Sequence, residues 1–112
     1  MSLAEQSCVS PRRGGAGIGA EEISALGAQV PGWEIVDHGG TPHLQRAFEF
    51  DDFASAISFA ARIAAEADEQ DHHPRLTVEW GSVLIEWWTH ATGGLHTNDF
   101  IMAARSDRIF AT

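Results

Sequence analysis

Apolar residues recur with two different periods along the chain, and the switches between them outline its elements. Leu76, Val78 and Trp80 alternate with polar residues, as do Val83, Ile85 and Trp87. A period of two is the mark of strands buried on one face. Gly81-Ser82, with glycine first, predicts a type II′ turn between them. Trp33-Glu34-Ile35-Val36 alternates in the same way, and so does His43 to Phe50, with Leu44, Phe48 and Phe50 on one face. His38-Gly39-Gly40-Thr41-Pro42 reads as the connecting loop, which leaves His38 and His43 facing solvent.

Helical spacing takes over elsewhere. Ile23, Leu26 and Val30 share a face behind Glu21 and Glu22, acids that suit the positive end of a helix dipole, and Pro31-Gly32 stops the run. Phe53, Ile57, Ala60, Ala64 and Ala67 form the stripe of a longer helix capped by Asp51 or Asp52. A last helix is expected from about Thr97 to Ile109, with Phe100, Ala103 and Ala104 inward. Paired strands separated by helices give an α+β fold in the order α-β-β-α-β-β-α: a four-stranded antiparallel sheet with three helices packed on one face. This domain is expected over residues 20–112. Residues 1–19 hold four glycines and no hydrophobic period, so they read as a disordered leader.

Composition narrows the function classes. A chain of 112 residues with 44% hydrophobic residues can build one core. Its 16 acidic against 7 basic residues give a net charge of −9, which argues against direct contact with nucleic acid, since phosphate binding needs clustered cations. No run reaches the ~18 apolar residues of a membrane span. The single cysteine, Cys8, cannot pair within the chain, and a reducing cytoplasm is the expected setting.

The candidate chemistry lies in Asp71-His72-His73-Pro74 and in Thr89-His90, followed by Gly93-Gly94-Leu95 and Asp99. Histidine titrates nearest to neutral pH, so a group of three can exchange protons with little tuning. Pro74 forces His73 toward an extended conformation and ends the helix at the histidine pair. With Trp80 and Val83 flanking the turn, Thr89 and His90 fall opposite His73 and Pro74. The acidic end of the long helix (Glu66, Asp68, Glu69, Asp71) opposes the dipole rule, either as a solvated run or as a cost kept for a site. No metal is expected: adjacent histidines rarely share an ion, and there is no Cys cluster or His-x-x-x-His pair.

The segments DEQDHHPRLTVEW, WWTHATGGLHTNDF and GAEEISALGAQVPGW together resemble the pterin-4a-carbinolamine dehydratase family over about residues 20–109. The resemblance implies dehydration of 4a-hydroxytetrahydropterin to quinonoid dihydropterin, in tetrahydrobiopterin recycling and without a cofactor. It implies catalytic roles for His72, His73, His90 and Asp99, and substrate contacts from Asp68, Asp71, Pro74 and Thr89. Asp68 and Asp99 are expected to orient the histidines. The resemblance also implies a homodimer or homotetramer and an aromatic amino-acid hydroxylase in the pathway. Relatives of this fold serve instead as a transcriptional cofactor or as assembly factors; degenerate ones tend to lose the histidine set, which this chain keeps. One position departs from the pattern. His96 stands where the family usually has a Thr or Ser helix cap, so Thr97 is the expected cap, with the helix start and Asp99 displaced by one residue.

Overall fold

The computed structural model describes residues 1–10 and 17–112. Seven principal elements run in the expected order: α1 (Ala20–Gly27), β1 (Glu34–His38), β2 (Thr41–Glu49), α2 (Phe53–Gln70), β3 (Arg75–Glu79), β4 (Ser82–Trp87) and α3 (Thr97–Phe110). The four strands make one antiparallel sheet in the order β1-β2-β4-β3. Residues directly opposite in such a ladder share a face. Leu44 faces Trp87, Phe48 faces Val83, and Leu76 faces Ile85, so one face is continuously apolar. α2 and α3 cover it, and α1 packs on α3. No helix among the described residues is long and apolar enough to cross a membrane.

Both hairpin turns are tighter or differently placed than the sequence suggested. β1 and β2 are joined by Gly39-Gly40 alone, both at positive φ (62° and 93°), as a type I′ turn requires. The ladder therefore absorbs His38, Thr41 and Pro42, and His43, already in the expected strand, is buried opposite Val36 instead of facing solvent. In the second hairpin Glu79 pairs with Ser82, so the turn is Trp80-Gly81. Positive φ occurs at Gly81 and not at Trp80, which fits a type II turn rather than II′. Trp80 leaves the ladder and is 76% exposed. The register expected for His73 and His90 slips with it: Arg75 pairs with Glu86, and β4 ends before Thr89.

Asp52, not Asp51, caps α2 by accepting from the Ser55 N–H at 2.7 Å. The helix buries Ala56, Phe59, Ala60, Ile63 and Ala67, and leaves Phe53, Ile57 and Ala64 outward. Two overlapping apolar stripes compete here, and the one carrying the bulky Phe59 and Ile63 wins because it removes more apolar area from water. α1 buries no residue fully; Val30, just beyond it, does. On α3 Phe100, Ile101, Met102 and Ala103 are buried, whereas Ala104 is half-buried.

The first ten residues of the expected leader lie against α3. Leu3–Glu5 forms a 3-10 turn with Leu3 buried, the Gln6 carbonyl accepts from Arg105, the Cys8 N–H donates to Gln70 Oε1, and Val9 exchanges two hydrogen bonds with the Asn98 side chain. Burial pushes the Cys8 thiol up to about 11, so it stays protonated at neutral pH. The Arg12-Arg13 pair lies outside the described residues.

Candidate active site

The end of α2 sets the two adjacent histidines apart. Asp71 adopts the left-handed conformation (φ 51°, ψ 42°), and the His72 N–H donates back to the Ala67 carbonyl at 3.2 Å. This closure turns His72 inward, to 8% exposure, while His73 stays exposed. Pro74 is half-buried at the entry to β3, and Asp71 itself is exposed.

His72 Nε2 lies 2.7 Å from Oδ1 of Asp99, a carboxylate with no exposed surface. Asp99 Oδ2 accepts from the Thr89 hydroxyl and from the His96 N–H, each at 2.9 Å. Two of these partners are neutral, and His72 is the third, so the only one able to gain charge beside Asp99 is the imidazole. A carboxylate can only accept, which places a proton on His72 Nε2 and leaves Nδ1 as the acceptor of the neutral ring. Trp87 stacks beside His72 with centroids 5.7 Å apart and planes 13° from parallel. The Trp87 Nε1–H is buried without a partner among the described residues.

The same logic applies at the surface. His73 Nε2 lies 2.9 Å from Asp68 Oδ1, so each of the two predicted carboxylates pairs with one of the adjacent histidines. Both members of this second pair are exposed, and such pairs contribute little to stability. His90 opens a short 3-10 turn, His90–Thr92, and its Nε2 accepts from the Trp88 Nε1–H at 2.9 Å. None of the three histidines hydrogen-bonds to another. Thr89 connects His90 to the buried network through the chain, and His72 is reached from Thr89 through Asp99.

His96, not Thr97, caps α3: its Nδ1 accepts from the Asn98 N–H at 3.0 Å, while Asp99 reaches back to the His96 N–H. An imidazole thus replaces the usual hydroxyl in a capping box, the helix start is not displaced, and Asp99 keeps the third helical position. Sequence reasoning also missed Trp87 and Trp88 as neighbours of the histidines. Their adjacency at the end of β4 was the available signal, because consecutive residues of an extended chain point to opposite faces. Asn98, which ties Val9 beside Asp99, carried no such signal.

One histidine–carboxylate group stands apart, on the open face of the sheet. His38, His43 and Glu86 bring ligand-type atoms within 4.8 Å of one another. The group does not fit a metal. Arg75 occupies both Glu86 oxygens at 2.7 and 2.9 Å, and the two imidazoles stack at 4.1 Å and 20°, so their in-plane lone pairs do not converge. Burial alone would push the Glu86 carboxyl up. Hydrogen bonds from Arg75 and His43, with the charges of Arg75 and His38, outweigh it and hold the group below the ordinary range.

Comparison with known proteins settles the family. A sequence profile described as Pterin 4 alpha carbinolamine dehydratase matches residues 17–109. The chain belongs to the pterin-4a-carbinolamine dehydratase family. A Gloeobacter violaceus protein provisionally named pterin-4-alpha-carbinolamine dehydratase 1 is 50% identical over 111 residues, 99% of this chain and 96% of that protein. A provisionally named dehydratase from Microcystis aeruginosa is 47% identical over 108 residues, 96% of this chain and 93% of the relative. Among solved structures, a transcriptional coactivator/pterin dehydratase from Brucella melitensis superposes with a TM-score of 0.75 at 29% identity, covering 83% of this chain and 97% of that one. A pterin dehydratase-like RuBisCO assembly factor of the alpha-carboxysome gives a TM-score of 0.58 at 27% identity, covering 69% and 87%. Family membership makes the chain a pterin-4a-carbinolamine dehydratase by relationship and implies a pterin as its substrate.

Proposed function

We propose that the chain dehydrates 4a-hydroxytetrahydropterin to quinonoid dihydropterin by histidine acid–base catalysis, and that this returns the pterin after aromatic amino-acid hydroxylation. The C4a–O bond breaks, the departing hydroxyl takes a proton and leaves as water, and N5 gives up its proton as the C4a=N5 bond closes. The reaction needs an acid at one atom and a base at its neighbour, a contribution worth about 10²–10⁴-fold.

The observation that carries this reading is the environment of His72. Its Nε2 is committed to Asp99, a carboxylate buried completely and satisfied from two further directions, so the ring is held with Nδ1 as its acceptor. His72, whose Nδ1 can accept, takes the N5 proton as the base, and His73 gives the proton that the departing 4a-hydroxyl needs. His90 binds the pterin and shares in the proton handling. Asp99 and Asp68 orient the adjacent histidines, with Asp71, Pro74 and Thr89 as substrate contacts. The protein works as a homo-oligomer in the cytoplasm, beside a pterin-dependent hydroxylase.

The test generates the carbinolamine with such a hydroxylase and follows quinonoid dihydropterin formation. Wild type should outpace buffer, and His72→Ala and His73→Ala should each lose about 10²-fold or more. A wild-type rate no faster than buffer would overturn the activity, and full activity in both variants would overturn the mechanism.

A further inference from the structure

Trp88 and His90 leave the strand end two residues apart, and the hydrogen bond between them has a fixed direction. An indole N–H can only donate, so the His90 Nε2 that meets it at 2.9 Å must present a lone pair. The neutral imidazole then carries its proton on Nδ1. We propose that Trp88 is a positioning residue that locks His90 in the Nδ1–H form, so that His90 meets the pterin as a hydrogen-bond donor. The proposal rests on the reading of His90 as a site residue. It makes His90 the complement of His72, whose Nε2 donates and whose Nδ1 accepts.

The indole is itself held by a structure that uses every strand of the sheet. Its ring stacks on His43 of β2 at 3.9 Å with planes 3° apart, and His43 stacks on His38 of β1. His43 Nδ1 lies 3.2 Å from Glu86 Oε1 on β4, and Arg75 of β3 forks both Glu86 oxygens. The Arg75 guanidinium lies 5.8 Å from the centre of the Trp88 ring. A buried carboxylate needs such partners to be tolerated at all. Here the Glu86 anchor fixes His43, the stack fixes the plane of Trp88, and the indole N–H fixes His90. The open face of the sheet thereby acts on His90, just past the end of β4.

Two-bond ¹⁵N–¹H correlation spectra of the labelled full chain read the tautomer directly, without substrate. In wild type His90 should show a bare Nε2 and a protonated Nδ1. Trp88→Phe keeps an aromatic ring on His43 but removes the donor; the His90 signals should shift toward the Nε2–H form. In the dehydratase assay its kcat should fall about five- to tenfold, the size of one lost hydrogen bond, with a smaller change in KM. An Nε2–H His90 in wild type, a tautomer unmoved by Trp88→Phe, or an unchanged kcat would each overturn the proposal. Wild type with the expected tautomer and no dehydration would instead overturn the proposed activity and leave the positioning role standing.

Discussion

Two buried carboxylates, Asp99 and Glu86, lie on opposite faces of the molecule's only sheet among the described residues, and each grips an imidazole. Glu86 is also forked by Arg75, a permanent cation, so its charge is balanced whatever His43 does. Asp99 has the Thr89 hydroxyl, the His96 N–H and His72, and no fixed cation among its hydrogen-bond partners. The contrast separates two uses of the same pair of side chains. Where a guanidinium supplies the charge, the histidine is a packing element. Where it does not, the histidine is the one partner that can change its proton count, which is what the proposed acid–base role needs.

Replacing each carboxylate by its amide should break this comparison open. Asp99→Asn puts an N–H where His72, Thr89 or His96 donates, and should lower kcat about 10²-fold or more, as loss of an orienting carboxylate does in other histidine sites. Glu86→Gln should instead cost about 1–3 kcal/mol of stability, because it leaves buried donors poorly matched, with a severalfold fall in kcat at most. The two variants also separate by pH. The folded Glu86 carboxyl sits below its ordinary value, so its stabilisation is complete above the unfolded pKa of about 4.3 and is lost as pH falls through the lower folded value. Urea midpoints measured from pH 7 to 3 should fall less steeply in Glu86→Gln than in wild type. Equal kcat losses in the two amide variants would erase the distinction.

His96 sharpens the comparison, because it serves Asp99 through its backbone and the helix through its ring. His96→Ala keeps the first bond and loses the second. It should cost about 1 kcal/mol, read as a drop of several degrees in Tm, with kcat within about threefold of wild type. His96→Ser should recover the stability, since a hydroxyl is the ordinary cap. A large kcat loss in His96→Ala, not recovered by Ser, would show that the imidazole itself belongs to the chemistry.

The element order and the sheet were legible because they rest on local pattern, whereas the orienting role of Asp68 and Asp99 came only with the family resemblance. Alternation at Val83, Ile85 and Trp87 and the break at His73-Pro74 need no tertiary information. What escaped was set by turns and by side chains meeting across strands. The backbone of Gly81 moved the second turn by one residue and changed which side chains face each other. Gly39-Gly40 carried the ladder past His43 to His38, and His43 is buried where Glu86 and Trp88 reach it. The stripe of α2 was ambiguous because both candidate faces are apolar, and only the sheet's bulk decides between them. The docking of residues 1–10 depends on Arg105, Asn98 and Gln70, polar partners that carry no periodic signal.

Asp71 carries the smallest effect and the most pointed test of how the two histidines are divided. It is the only non-glycine residue at positive φ among the described residues, and it sits where helices commonly place glycine. Left-handed backbone costs a side-chain-bearing residue roughly 1–2 kcal/mol, less for aspartate, which tolerates it better than most. Asp71→Gly removes that strain, while the freer unfolded glycine chain offsets part of the gain. The net should be about 0.5 kcal/mol of added stability, measured as a higher urea midpoint at unchanged m-value. As a proposed substrate contact, Asp71 should raise KM when lost. Unchanged kcat and KM in the more stable variant would show that it only turns the chain, sending His72 toward Asp99 and His73 toward Asp68. A KM raised severalfold in the stabilised protein would instead assign the carboxylate to the pterin, and would explain why a strained residue occupies a position that glycine fills at less cost.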